Sequence, residues 1–345
     1  MTGLERINAA LKGEQADTTP IMLHNFMPAA REAGLTQAQY RSDPQNIARA
    51  FIESVERYNY DGILVDVDTA TLAGAVGVPV EYPDDDPAVC HIGCMDDLAS
   101  VASLGDPDVA ADEHIQIWLE AVRLLVDYLG DEICVRGNCD QGPFSLACMM
   151  RGMQNWMMDL MDPGAAENIE ALLEWCTEAA SQFVRLMAKT GAHVLSNGDS
   201  PAGPSMISPE MYRRYGLPYE QRIAAVSHEA GLPYILHICG DTSLILDDIL
   251  VTGADAMELD YKTDVISACD KMKGRMCFVG NIDPSGVLAM GSVEDVRRRT
   301  AKLLDVFADN PRFILNAGCA LPATTPSENI EAMIAVARKK GSGLV

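Results

Sequence analysis

Basic residues are scarce in this sequence: 26 Lys and Arg stand against 50 Asp and Glu, a net charge of −24. That balance excludes nucleic acid as a partner, because phosphate recognition needs clustered Lys and Arg. It also works against a polyanionic substrate unless a local basic pocket overrides the field. Long apolar runs are missing as well. No stretch approaches the roughly 20 uninterrupted apolar residues of a membrane span. The opening MTGLERINAALKGEQ is charged and amphipathic, unlike a signal peptide. A cytoplasmic location is therefore expected, with the ten cysteines as reduced thiols. No Cys-x-x-Cys occurs, which excludes a zinc ribbon and a thioredoxin-type motif. CHIGC at 90–94 follows an acidic turn and has no second ligand pair nearby, so it is read as a loop. No Gly-x-Gly-x-x-Gly follows the first apolar run, and there is neither a P-loop nor an internal repeat.

What is present is an alternation of short apolar runs and amphipathic stretches. The runs are TTPIMLHNF, DGILVDVD, EICVRGNCD, AHVLSNGDS, PYILHICGD, ADAMELDY, RMCFVGNID and RFILNAGCA. Helical spacing lies between nearly all of them, for example over 44–58, 111–129, 164–190 and 293–308. SPEMYRRYGLPYEQRIAAVSHEAG reads as one helix, with Ser208 as N-cap and Pro209 in its first turn. Eight βα units in a chain of 345 residues predict an α/β fold, a single TIM (β/α)8 barrel over 1–345 with an N-terminal helix at about 3–12. An irregular insertion, 69–110, follows the second strand. The 18 methionines, including CMMRGMQNWMMDLMD at 148–162, sit at helical spacing and are expected mainly in the core.

The strands share one property: each is apolar and finishes in His, Asn, Asp, Glu or Cys. In a barrel those ends lie on one face, where the βα loops build the active site. Turn chemistry alone accounts for many of the Asn, Asp and Gly residues. It does not account for His237, Cys239, Glu258 or Cys319. In LPYILHICGDTS, His237 and Cys239 are two apart on a strand and so point to one side. Cys319, in NAGCALPATTP, follows the eighth strand in a loop bounded by Gly318 and prolines. One imidazole and two thiolates suit Zn2+, and three protein ligands leave a fourth position open, as in catalytic zinc sites. Glu258 is a candidate for that fourth place, or alternatively a strand-end carboxylate pairing with a helix dipole or Lys262. Glu258 and Asp199 are the candidate catalytic carboxylates. His24, Asn25, Asp66, Asn138 and Asn197 are the strand-end groups expected to orient a substrate.

Several segments carry a family resemblance: ERINAALKGEQADTTPIML, GPFSLACMMRG, LSNGDSPAGPSMISPEMYRRYGLPY and GNIDP. Through them the chain resembles the uroporphyrinogen decarboxylase superfamily along nearly its whole length. HICGD followed by NAGCALPATTP looks like its branch of zinc-dependent corrinoid methyltransferases. That resemblance implies His237, Cys239 and Cys319 as zinc ligands and a corrinoid protein as partner. It also implies a small-molecule methyl donor or acceptor, and is compatible with a homodimer. The arginine-rich motif with which the decarboxylases grip porphyrin carboxylates is replaced here by FMPAAREAG, in which Arg31 stands alone. The second-strand region DVDTATLAGAVGVPVEYPDDDP departs from the thiol-methylating enzymes. The expected activity is therefore methyl transfer between a small substrate, such as a methoxylated aromatic (O-demethylation), and the partner's cobalt. The alternatives are a methylcobalamin:thiol methyltransferase of the coenzyme M type, a decarboxylase, or a tetrapyrrole-binding protein without turnover.

Overall fold

The computed structural model describes residues 1–341. Eight parallel strands run in sequence order around one sheet: β1 Met22–Leu23, β2 Gly62–Val65, β3 Cys134–Gln141, β4 Val194–Gly198, β5 Tyr234–Ile238, β6 Ala256–Leu259, β7 Cys277–Ile282 and β8 Phe313–Ala317. The ring closes where Ile21 bridges Leu315 in parallel and Leu315 N donates to Pro20 O at 2.9 Å. This is the expected (β/α)8 barrel. Its strands are buried almost throughout, because helices cover the outside and side chains fill the inside.

Gly3–Lys12 is a helix because Thr2 and Glu5 form a reciprocal cap: Glu5 N donates to Thr2 Oγ1 at 3.2 Å, and Thr2 N donates to Glu5 Oε2 at 2.8 Å. Its Ile7, Ala10 and Leu11 pack against Met22, Cys134, Val194, Ile235, Ala256, Cys277, Val279 and Ile314. These are residues from the starts of the strands, so the helix plugs the barrel floor. Burying one such aliphatic side chain is worth about 1.5–3 kcal/mol.

The stretch read as one helix from Pro209 is two, Pro209–Tyr215 and Leu217–Glu229. Ser208 caps the first, as expected, accepting from Met211 N at 3.2 Å. Gly216 interrupts the run, and Pro218 has no N–H to continue the ladder across it. The insertion after β2 is mostly irregular, holding a short helix, Thr71–Ala75, and a bridge between Glu81 and Val89. Arg41 fastens it by donating to the carbonyl oxygens of Pro83 and Asp86. In the methionine-rich stretch Met150 is buried, whereas Met153, Met158 and Met161 are exposed, so the core expectation holds only in part. No helix among the described residues is long and apolar enough to cross a membrane.

Candidate metal centre in the barrel mouth

His237, Cys239 and Cys319 come together at the ends of β5 and β8, with one donor atom from each lying within 4.8 Å of the others. His237 Nδ1 is 2.9 Å from the Glu258 carbonyl oxygen on neighbouring β6, an arrangement that points Nε2 at Cys239 Sγ, 3.0 Å away. Cys239 Sγ lies 3.6 Å from Cys319 Sγ. A tetrahedral Zn2+ with ordinary bond lengths places two sulfurs about 3.8 Å apart and a nitrogen and a sulfur about 3.5 Å apart. The donor types and spacings fit that ion. The imidazole's outer nitrogen also has the carbonyl partner that fixes ring orientation at metal sites.

Two glycines allow this convergence. A Cβ on Gly318 would stand 2.5 Å from Tyr261 N, so only glycine lets the β8 loop run against the β6 loop and bring Cys319 inward. Gly240 has φ +92°, a left-handed turn that frees its N–H to donate to Asp260 Oδ2 at 2.8 Å, directly after Cys239. Cys239 itself is held by its N–H on Ser200 Oγ at 3.2 Å.

The hydrogen bond with Cys319 and the adjacent His237 ring hold the Cys239 thiol down at about 3, and Cys319 is raised by the same contact and by burial. Burial opposes a charge on His237, but the Cys239 thiolate and Glu258 outweigh it and raise the ring to about 10. These contacts favour a charge-paired His237 ring and Cys239 sulfur, with the proton of Cys319 held on. A cation would displace those protons.

Glu258 does not join the three donors. It is fully buried and bonds Arg136 Nη1 at 2.5 Å, while Asn316 Nδ2 is 3.4 Å from its Oε1. Burial alone would raise this carboxyl group; Arg136, His24 and His237 reverse that and hold it well below the usual range. Its place is on β6 in register with His237, as the partner of a buried arginine.

Of the expected substrate residues, His24, Asp66, Asn138 and Asn197 line a cavity of about 230 Å3 that the three donors also face. His24 Nε2 is 2.7 Å from Asp66 Oδ2, and Asn138 Nδ2 donates to Asp66 Oδ1 at 2.8 Å. Asn197 also serves the backbone, donating to Cys139 O at 2.6 Å and Gln141 O at 3.2 Å, where β3 shifts register. Two expectations are corrected. Asn25 turns away from the cavity, donating to Ser54 Oγ at 2.9 Å from the position just before the helix Phe26–Glu32, beyond the end of β1. Asp199 caps the helix Pro143–Arg151, accepting from Ser145 N at 2.7 Å and Ser145 Oγ at 2.6 Å, and it does not reach the cavity. Burial raises its carboxyl to about 6.

Sequence reasoning passed over Arg136, Asp68 and Asp140 as site residues, and all three line the cavity. Arg136 had a signal: a lone charge inside an apolar strand, two residues before Asn138 and so on the same side.

The model of the family described as uroporphyrinogen decarboxylase (URO-D) matches residues 2–340. The chain belongs to the uroporphyrinogen decarboxylase family. Within the family it is 26% identical over 344 residues to the methylcobamide:CoM methyltransferase MtbA of Methanosarcina acetivorans, covering 98% of each chain. It is 24% identical over 336 residues to the methylcobamide:CoM methyltransferase MtaA of Methanosarcina barkeri, covering 96% of each. A uroporphyrinogen decarboxylase of Syntrophotalea carbinolica is 26% identical over 339 residues, 94% of each chain. The solved structure of a methyltransferase from Methanosarcina mazei superposes with a TM-score of 0.88 over 99% of both chains at 22% identity, which shows the shared barrel.

Proposed function

We propose that this chain is a zinc-dependent methyltransferase that passes a methyl group from a methylcobamide to the sulfur of a small thiol. The observation that carries the reading is the His237–Cys239–Cys319 group, three donors at zinc spacing facing a cavity of about 230 Å3. That volume falls below the roughly 300–1,000 Å3 of pockets for drug-sized ligands, which suits a small substrate better than a tetrapyrrole. The corrinoid is then presented at the mouth by a separate protein. The names of the Methanosarcina relatives favour a thiol acceptor over a methoxylated aromatic donor. Arg31 gives little support to a decarboxylase, since it donates to Thr325 O at 2.8 Å and has no second arginine beside it in FMPAAREAG.

Bound there, Zn2+ would lower the pKa of the acceptor thiol and keep it as thiolate. The chain's own residues do the rest. Cys239 and Cys319 supply the sulfur donors, and the Glu258 carbonyl orients His237. The Glu258–Arg136 pair forms a fixed, buried part of the cavity wall. In the reaction the thiolate sulfur attacks the methyl carbon, and the electron pair of the cobalt–carbon bond stays on cobalt, reducing Co(III) to Co(I). The thiol proton leaves to solvent when the thiolate forms.

The test is to mix zinc-loaded protein with methylcobalamin and a panel of small thiols, and in parallel with cob(I)alamin and methoxybenzoates. Thiol-dependent loss of the methylcobalamin spectrum is expected. Methylation of cob(I)alamin by a methoxybenzoate, with no thiol active, would replace this reading by O-demethylation.

A further inference from the structure

Across the mouth from the donor triplet, the wall formed after β2 and β3 carries two carboxyl groups that the proposed methyl transfer does not use. Asp68 Oδ1 accepts from Ala70 N and Thr71 N at 2.8 Å each and from Thr71 Oγ1 at 2.9 Å, whereas its Oδ2 has no partner among the described residues. Asp140 Oδ2 accepts from Leu72 N at 2.7 Å; its Oδ1 makes no hydrogen bond of good geometry, although the Gln141 side chain stands near enough to favour its charge. Both residues are 1% exposed, and both line the cavity. Each is therefore held rigidly by one oxygen while the other oxygen is buried and idle. An unmet buried acceptor is costly, and a bound donor removes that cost.

The charges on the cavity wall are unbalanced in the same sense. Asp66, Asp68, Asp140 and Glu258 are its carboxyl groups, and Arg136 is its only arginine or lysine among the described residues. Arg136 is engaged by Glu258, and His24 stands between Asp66 and Glu258. Arg41, outside the lining, lies within electrostatic reach of Asp68 but spends its hydrogen bonds on the carbonyl oxygens of Pro83 and Asp86, so no cation of the lining bonds Asp68 or Asp140. Burial pushes both carboxyl groups up, helped by the charge of Asp66 on Asp68 and of Asp68 on Asp140. A bound ammonium would favour the ionised carboxylates and pair with them, whereas a sulfonate would find no free cation in the lining.

We propose that the Asp68–Asp140 wall selects a thiol whose far end carries an ammonium group, so the acceptor is an aminothiol and not an anionic thiol. This rests on the methyl-transfer reading and names the substrate class for it. It separates this chain from relatives whose names specify coenzyme M, a sulfonate.

The experiment compares three thiols of equal length, 2-aminoethanethiol, 2-mercaptoethanol and 2-mercaptoethanesulfonate. Methyl transfer from methylcobalamin is measured in zinc-loaded wild type, Asp68→Asn and Asp140→Asn. Asparagine keeps the oxygen that accepts the backbone N–H bonds of Ala70 and Thr71 at Asp68 and of Leu72 at Asp140, and it tolerates the φ of +60° at Asp140, so the fold should persist. In wild type kcat/KM should favour the amine over the alcohol by about tenfold or more, the worth of one charge-assisted hydrogen bond. An ammonium also acidifies its own thiol, so the variants carry the decision. Their amine-to-alcohol ratio should fall by about tenfold, mainly through KM. A preference for the sulfonate in wild type, or an amine preference unchanged in both variants, overturns the proposal. Absence of turnover with all three thiols overturns the methyl-transfer reading instead. Calorimetric titration of the same thiols, which needs no turnover, then judges the wall: tighter amine binding lost in the variants supports it, and equal or tighter sulfonate binding overturns it.

Discussion

The same eight strands make two different environments within a few residues of one another. Their starts, with Met22, Cys134, Val194, Ile235, Ala256, Cys277 and Ile314, form an apolar floor sealed by the helix Gly3–Lys12. Their ends carry His24, Asp66, Asn138, Asn197, His237 and Glu258. The cysteines measure the difference. Burial pushes the Cys134 thiol up to about 12, whereas a hydrogen bond from Cys319 and an adjacent imidazole hold Cys239 down at about 3. Residue type does not decide whether a sulfur is a filler or a ligand. Its neighbours do, and in a barrel the neighbours are set by height along the strand.

The strongest way to break this contrast is to exchange sulfur for oxygen at both heights. The Cys239→Ser, Cys319→Ser double variant should lose bound zinc and lower methyl transfer by at least about a thousandfold, a loss of some 4 kcal/mol of metal assistance. Cys134→Ser should leave the zinc content unchanged. Metal analysis of both proteins checks this, and equal zinc in the double variant and wild type would refute the centre. Next in size is the buried ion pair of the cavity wall. Arg136→Ala leaves Glu258 buried without its arginine, with only His24 and Asn316 near it, and should cost about 3 kcal/mol in urea unfolding. Pairing Arg136→Met with Glu258→Leu should recover most of that; if it does not, the arginine supports more than its carboxylate. Asp199→Ala removes a helix cap outside the cavity, so about 1–2 kcal/mol of stability should go, with KM for the thiol unchanged. A raised KM would return Asp199 to the site. Smallest is Ile235→Val in the floor, expected to cost about 0.5–1.5 kcal/mol by thermal unfolding without moving metal content or turnover.

The features legible from sequence are those that strand alternation and residue chemistry govern together. The strand ends could be read because apolar runs stop at polar residues. The donor triplet stood out because His237 and Cys239 share a strand face and Cys319 follows a glycine. Less local features were hidden. Asp199 meets Ser145, 54 residues away in sequence, and no spacing rule announces that contact. β1 ends at Leu23 and a helix begins at Phe26, so Asn25 sits at the helix entry and bonds Ser54, a change of direction that the run TTPIMLHNF does not announce. Asp68 and Asp140 looked like turn residues; Asp68 Oδ1 does cap local N–H groups, but Asp140 Oδ2 reaches Leu72 N, 68 residues away in sequence, and only the folded cavity shows that the other oxygens are left over. The break at Gly216 was written in Gly and Pro but was outweighed by strong helical periodicity on both sides.

Cys239 and Cys319 lie 80 residues apart, and the second follows the strand that shuts the ring against Ile21. During synthesis, a chain that has not yet produced β8 carries only two of the three donors. Metal capture would then come last. It would reward only a barrel whose first and final strands have met, so the ion would act as a latch on completed closure as well as a reagent.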